Sequence, residues 1–259
     1  MAILTFLSDF GHSDHYVAAV KAKVLSINPG VQIVDLSHEI TPHDIGHGAH
    51  LLGSVFRDFP SSTVHLVCLS AVGKRPEPAI ALRLEDQYFV GRDSGLFSLI
   101  SGRKPDIAVE LTVPQSPSTF HERDQLAVVA AKLASGDNMH EMGSPYPELE
   151  RLLGRQVKAS KKQIVGHVMR VDHYGNLITN IPKSDFDNIL KINGTGKFEI
   201  RVGRERLQKL HTSFSETEGG EIYLLFNSGG VLQVGIKNGK ASELLGLGYD
   251  APIIIDFPE

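Results

Sequence analysis

Ser8-Asp9-Phe10-Gly11-His12-Ser13-Asp14-His15-Tyr16 crowds carboxylates, hydroxyls and imidazoles into one short stretch. A carboxylate can accept from two hydroxyls at once, so Asp9 suits the diol of a ribose. Asp14 fits the same polar loop, or the simpler role of N-cap to a following helix. A second group is His12, His15, His38, His43, His47 and His50, with Asp9, Asp14 and Asp44 nearby. His43, His47 and His50 stand at i, i+4 and i+7, one face of a helix that starts near Pro42. That spacing can hold a divalent metal. Histidines on a polar edge give the same pattern, and this plainer reading is favoured.

Three further stretches could carry chemistry. Ser118–Asp124 reads S-T-F-H-E-R-D, where His121 could act as a base or orient a water. Alternatively, Asp124 caps the next helix and Arg123 pairs locally. Val171–Ile181 reads V-D-H-Y-G-N-L-I-T-N-I, in which Asp172 and Asn176 flank Tyr174; Asx residues beside glycine also simply make turns. Phe226–Gly230, F-N-S-G-G, offers backbone donors and the Ser228 hydroxyl, though such a run is more often a hairpin turn. The sequence contains no G-x-x-x-x-G-K, no G-x-G-x-x-G after a strand, no G-x-S-x-G and no H-E-x-x-H.

These stretches need elements to hold them. Ile3–Leu7, Gln32–Leu36 and Val64–Leu69 read as strands; the last has no charge, as expected of a strand buried on both faces. His15–Ile27 and Asp44–Phe56 carry apolar residues at helical spacing, and Asn28-Pro29-Gly30 stops the first. Ala79–Leu82 and Gln87–Val90 read as a hairpin pair, and Leu126–Leu133 as a helix. Strands alternating with helices predict an α/β N-terminal domain, residues 1–157, with a largely parallel sheet. Lys158–Lys162 is charged and suits a linker. Beyond it lie six short β-like runs: Ile164–Val171, Asn176–Ile181, Lys197–Val202, Glu221–Phe226, Val231–Ile236 and Ile253–Phe257. Gly and Asn punctuate them, which predicts a smaller, antiparallel β-barrel-like domain over 163–259.

Composition closes several routes. The chain has 259 residues, 41% apolar and 22% charged, with a net charge of −4. An acidic balance argues against a broad nucleic-acid face and against a polybasic membrane contact. Cys68 is the single cysteine, so neither an intrachain disulfide nor a Cys-rich zinc site can form. The N-terminus lacks a basic flank and reads as a first strand rather than a signal peptide. No apolar run reaches the roughly 18 residues of a membrane span. The expected compartment is the cytoplasm.

Taken in order, the motifs resemble the S-adenosyl-L-methionine (SAM) hydroxide adenosyltransferases, relatives of fluorinase and chlorinase. The similar text includes S-D-F-G-H-S-D-H-Y-V, V-D-L-S-H-E-I-T-P-H-D-I at Val34–Ile45 and F-P-S-S-T-V-H-L-V at Phe59–Val67. It continues through V-G-R-D-S-G-L-F-S at Val90–Ser98, T-F-H-E-R-D, V-D-H-Y-G-N-L-I-T-N-I and A-S-E-L-L-G-L at Ala241–Leu247. The resemblance implies a homotrimer with SAM between the N-domain of one subunit and the C-domain of the next. It implies no cofactor and no metal, SAM itself being the substrate. It assigns Asp9 to the ribose, and Phe120, Asp172, Tyr174, Asn176 and Ser228 to the adenine and methionine ends. Asp93 falls where relatives read P-D-N-G. The implied reaction is attack of a nucleophile on the ribose 5′ carbon with release of methionine.

The likeness breaks at the implied water site. Relatives carry an Asp, an Arg and a His to position the water, the Asp within V-D-P-G-V-G. Here Leu69-Ser70-Ala71-Val72-Gly73-Lys74-Arg75 puts Ser70 or Leu69 at the Asp position, and Arg75 serves as the Arg only if the loop shifts. His121 remains, followed by Glu122 where relatives have a small residue. Three functions follow: a SAM hydrolase with its water site rebuilt around His121, Arg75, Ser70 and Glu122; a protein that binds SAM or adenosine without turnover; or a metal-dependent hydrolase built on the histidines.

Overall fold

In the first strand, β1 (Ile3–Ser8), Leu4 and Phe6 point to one face of a sheet and Leu7 to the other, and all three are fully buried. Such a strand must be covered on both sides. The computed structural model describes residues 2–70, 77–112 and 118–258, which divide into two compact units, Met1–Gly154 and Arg155–Glu259.

In the first unit the elements run β1, α1 (Tyr16–Ile27), β2 (Gln32–Ser37), α2 (Ile45–Val55), β3 (Val64–Cys68), β4 (Ala79–Leu84), β5 (Gln87–Arg92), α3 (Leu96–Ile100), β6 (Ile107–Leu111), α4 (Ala127–Ala134) and β7 (Gly143–Pro145). The sheet order is β2-β1-β3-β5-β4-β6-β7. The β2-β1-β3-β5 half is parallel and the β5-β4-β6-β7 half antiparallel. The sheet is therefore mixed, not largely parallel. The reversal is made at the β4–β5 turn, where Glu85 and Asp86 both take positive φ (51° and 60°), as a tight two-residue hairpin turn requires. One face packs Leu4, Phe6, Leu66 and Cys68 against Val17, Val20 and Val24 of α1 and Ala127, Ala130 and Ala131 of α4. The other packs Leu7, Val67 and Phe89 against Leu52 of α2 and Leu96, Phe97 and Ile100 of α3.

His65, fully buried in β3, is the polar exception in that second core. Gln87 Nε2 donates to the Phe56 carbonyl (2.6 Å), so its Oε1 must accept from His65 Nε2, 2.5 Å away. Nδ1 is then left to accept from the Thr5 hydroxyl at 2.7 Å. This network needs a neutral ring, and burial lowers the His65 pKa to about 4.

The second unit runs β8 (Lys158–Ala159), β9 (Gln163–Val171), β10 (Leu177–Pro182), α5 (Lys183–Asn193), β11 (Glu199–Val202), β12 (Glu205–Leu207), β13 (Ile222–Phe226), β14 (Val231–Ile236), α6 (Ala241–Leu244) and β15 (Pro252–Asp256). Its strands follow the antiparallel path β12-β11-β15-β9-β10-β14-β13, with β8 on β9. β12 and β13 end the path and do not pair as strands. Past β12 the chain meets β13 through His211 N–H donating to the Leu224 carbonyl at 2.7 Å. The Lys158–Lys162 stretch is no linker: β8 turns through Ser160, whose N–H donates to the Gln163 carbonyl, and pairs with β9. No helix among the described residues is long and apolar enough to cross a membrane.

The His65 network gives a pH test. Its folded pKa lies below the unfolded value of 6.5, so the unfolded chain binds more protons as pH falls below about 6.5, and stability drops toward pH 4. Urea unfolding at pH 7 and pH 4.5 should show a loss of which about 2–3 kcal/mol belongs to His65. His65→Gln should remove that part of the pH dependence; an unchanged pH dependence contradicts a neutral buried ring.

Candidate active site

The parallel strands of the first unit end together, at the edge where open α/β sheets bind ligands. Ser8 of β1 pairs with Cys68 of β3, and Leu66 pairs with Val90 two residues before Arg92. The loops opening at Asp9, Leu69 and Asp93 thus leave one edge.

Asp9 is 8% exposed. Its Oδ2 accepts from the Ser70 N–H at 2.9 Å and the His43 N–H at 3.3 Å. His43 reaches it from a left-handed conformation, φ 69°, uncommon for a residue with a side chain. Asp9 Oδ1 is buried and has no hydrogen-bond partner among the described residues. Orphaned buried acceptors are rare, and this one suits an incoming hydroxyl. Ser8 and His38 brace the loop. The Ser8 hydroxyl meets His38 Nδ1 at 2.7 Å, and the Gly11 N–H donates to the His38 carbonyl at 2.8 Å. Burial lowers the His38 pKa, opposed by Asp35 beside Nε2.

Phe120 meets Phe10 and Tyr16 edge-to-face, with centroids 5.9 and 5.5 Å from its own, and Phe10 and Tyr16 are tilted against each other. The Arg123 guanidinium lies over the Phe120 ring, 5.4 Å from its centroid. Arg123 also pairs with Asp124 at 2.6 Å, and Ser118 donates to the same carboxylate; Arg123 first, then Ser118, draws the Asp124 pKa to about 2. Asp124 is therefore no helix cap, because its oxygens are spent on Arg123 and Ser118. Asp14 is no cap either: α1 starts from His15, already helical, without a side-chain cap.

His121 opens a wide π-type turn, Glu122–Leu126, closed by the Ala127 N–H donating to the Glu122 carbonyl. It is half-buried and makes no described hydrogen bond. Glu122 pairs with Arg92 Nε at 3.3 Å, and Arg92 Nη1 donates to the Glu77 carbonyl at 3.0 Å. Cys68 lies under this group: burial first, then the Glu122 and Asp9 charges, raise its thiol pKa, with Arg92 opposing. Asp93 is also buried, but its Oδ2 accepts from the Glu150 N–H at 2.8 Å. Burial, helped by Asp93, pushes Tyr146 up to about 12. Ser70 contributes its backbone to Asp9, and Arg75 lies outside the described residues.

The histidines do not converge. α2 starts at Ile45, capped by Asp44 accepting from the His47 N–H, so His43 falls outside the helix and off the expected face. Among the described residues no group of three or more His, Cys, Asp or Glu side chains is placed to hold a metal.

In the second unit, Asp172, Tyr174 and Asn176 share the turn between β9 and β10. Asp172 accepts from the Asn176 N–H (2.9 Å) and side-chain amide (2.8 Å), and Tyr223 donates its hydroxyl to Asn176 Oδ1 at 2.7 Å. Burial, and after it the Asp172 charge, raises the Tyr223 pKa, which keeps the phenol a donor. Gly235 is needed here, because a Cβ would stand 2.1 Å from the Tyr223 ring and 2.4 Å from Asn176 Oδ1. Gly175 has φ 79° and backs onto Lys240, where a Cβ would lie 2.6 Å from the lysine's own. Tyr174, Asn176, Phe214, Tyr223, Lys237 and Lys240 line a cavity of about 580 Å³, within the usual range for small-molecule pockets. Tyr174 is 75% exposed and free to stack on a flat ring. Ser228 is not part of this cavity. It sits in the β13–β14 turn beside the Pro182 end of β10, whereas Asn176 precedes the Leu177 end.

Arg92, Phe214, Tyr223 and Lys240 were not singled out from sequence. Arg92 stood inside the V-G-R-D-S-G run, but only its ion pair to Glu122, 30 positions away, marks it.

The SAM hydroxide adenosyltransferase N-terminal domain profile matches residues 4–143 and the C-terminal domain profile residues 166–254. An (R)-S-adenosyl-L-methionine hydrolase of Methanocaldococcus jannaschii is 31% identical, over 95% of this chain and 93% of its own. A fluorinase of an Actinoplanes species is 29% identical over 71% of this chain and 73% of its own. The crystal structure of an uncharacterized conserved protein from Thermotoga maritima superposes with a TM-score of 0.88 at 32% identity, covering 98% of this chain and all of that one. The chain belongs to the SAM hydroxide adenosyltransferase family.

Tyr223→Phe should strip Asn176 Oδ1 of its donor inside a buried chain. Urea unfolding should register a loss of about 1–3 kcal/mol, and adenosine affinity measured by calorimetry should fall with it. Unchanged stability and affinity would show that the phenol does not hold Asn176.

Proposed function

We propose that the protein hydrolyses SAM to adenosine and L-methionine, by attack of water on the ribose 5′ carbon. The observation that carries this is Asp9: a buried carboxylate at the sheet's carboxyl edge, with one oxygen fixed by two backbone donors and the other unpartnered. A ribose diol supplies the missing donors. The Phe10-Tyr16-Phe120 trio offers an apolar wall beside it, and the cavity around Tyr174 and Asn176 offers a stacking ring and an oriented amide for a base.

The chemistry asks for little beyond positioning. The sulfonium is a cationic leaving group, so no cofactor is required. Water is the weak partner, and fixed dipoles in a dry pocket raise its reactivity. His121, Ser70 and Arg75 are the residues proposed to surround it, with Asp93 and Glu122 at the same pocket. A homotrimer, with SAM held between the N-terminal unit of one subunit and the C-terminal unit of the next, is part of the same proposal, as is a cytoplasmic location. Ser228 would then belong to the methionine end.

Chromatography after incubation with SAM should show adenosine and methionine rising together. Asp9→Asn should raise KM about 10- to 100-fold, the worth of charge-assisted bonds to two hydroxyls. Calorimetric SAM binding with no adenosine at high protein concentration would replace hydrolysis with binding alone, an outcome consistent with the loss of an acid at Leu69-Ser70.

A further inference from the structure

An enzyme that uses water needs an acceptor for its proton, and the carboxylates at this edge are not equivalent. Asp9 is buried; its Oδ2 is occupied by two backbone N–H groups, and its unpartnered Oδ1 is the oxygen assigned above to the ribose. Asp93 is 4% exposed, its Oδ2 turned to the Glu150 N–H and its Oδ1 enclosed without a hydrogen-bond partner among the described residues. Asp44 accepts from the His47 N–H. Leu69-Ser70 at the end of β3 supplies no acid. Glu122 differs in being open to water: its side chain is 21% exposed against 8% for Asp9 and 4% for Asp93, one oxygen meets Arg92 Nε, and Oε2 has no protein donor among the described residues. Arg92 matches it, because Nε and Nη1 are engaged while Nη2 has no partner among the described residues. The pair thus presents an open acceptor beside an open donor, which is what fixes both the place and the orientation of one water. The π-type turn that bears Glu122 is a form found disproportionately at functional sites.

We propose that Glu122 holds the attacking water and takes its proton, and that Arg92 is the positioning residue that aims Glu122. The inference rests on the hydrolysis of SAM proposed above. As the water oxygen bonds to the ribose 5′ carbon, one water proton passes to Glu122 Oε2. The bond from that carbon to sulfur breaks, and its electron pair stays on sulfur as the neutral thioether of methionine. Glu122 then releases the proton to solvent, so SAM and water give adenosine, methionine and one proton. Arg92 supplies the second contact to the water.

The test uses the full-length protein with SAM. Glu122→Gln should lower kcat about 100- to 10,000-fold, as expected for a lost general base, with KM within about threefold of the unaltered protein. Glu122→Ala should regain about tenfold of its lost rate in added sodium formate, which a structural role would not allow. Arg92→Gln should lower kcat with KM retained, and the double variant Arg92→Gln/Glu122→Gln should be no slower than Glu122→Gln alone. If Glu122→Gln does not fold, the formate response and Arg92→Gln decide in its place. An active unaltered protein whose Glu122→Gln variant keeps its kcat, or failing that an active protein with no formate rescue and an unaltered Arg92→Gln rate, overturns the role of Glu122 and leaves hydrolysis standing. An unaltered protein that makes no adenosine overturns hydrolysis and this role together.

Discussion

A buried carboxylate must be paid for with hydrogen bonds, and Asp9 obtains them from two loops other than its own. The Ser70 N–H comes from the end of β3 and the His43 N–H from the approach to α2. Asp9 therefore ties three loops to one point. Parallel pairing of β1 with β2 and β3 brings those loops to the same edge, and the helices on both faces keep the edge rigid. Ser8, His38 and Gly11 then close the loop behind Asp9. The single oxygen left over is a consequence of this construction, and the proposed ribose contact rests on it.

A second buried polar chain does the same work in the other unit. Tyr223 donates to Asn176, and Asn176 donates to Asp172, so the amide can face only one way. Gly235 gives it room. Both use one device: a polar group beside a strand end, fixed by backbone or phenol donors. Charge at the first site is balanced locally, Glu122 against Arg92 and Asp124 against Arg123.

Much of this frame was legible in the sequence. Val64–Leu69 could be read as a two-face strand because it carries no charge, and every residue of Val64–Cys68 is buried. The β4–β5 hairpin was visible in its apolar runs, but its effect was not: a reversal set by two positive-φ acids turned a largely parallel expectation into a mixed sheet. α5 escaped because only Phe186 and Ile189 of its eleven residues are buried, so polar residues mask its period. Asp14 and Asp124 looked like caps by type and place, and lost that role to backbone geometry at His15 and to the pull of Arg123. Asp9, Phe120 and the Asp172–Asn176 turn stood out because a short run carries them. Arg92 and Tyr223 did not, since each acts through a partner tens of residues away, and the histidine excess pointed to a metal that the start of α2 at Ile45 does not support.

The origin of the new oxygen is the most direct measurement. With SAM in water enriched in oxygen-18, mass spectrometry of the adenosine should find one labelled oxygen, at the 5′ position, for each methionine released. Adenosine without the label, or methionine lost with some other nucleoside product, would contradict attack by a water held at this edge.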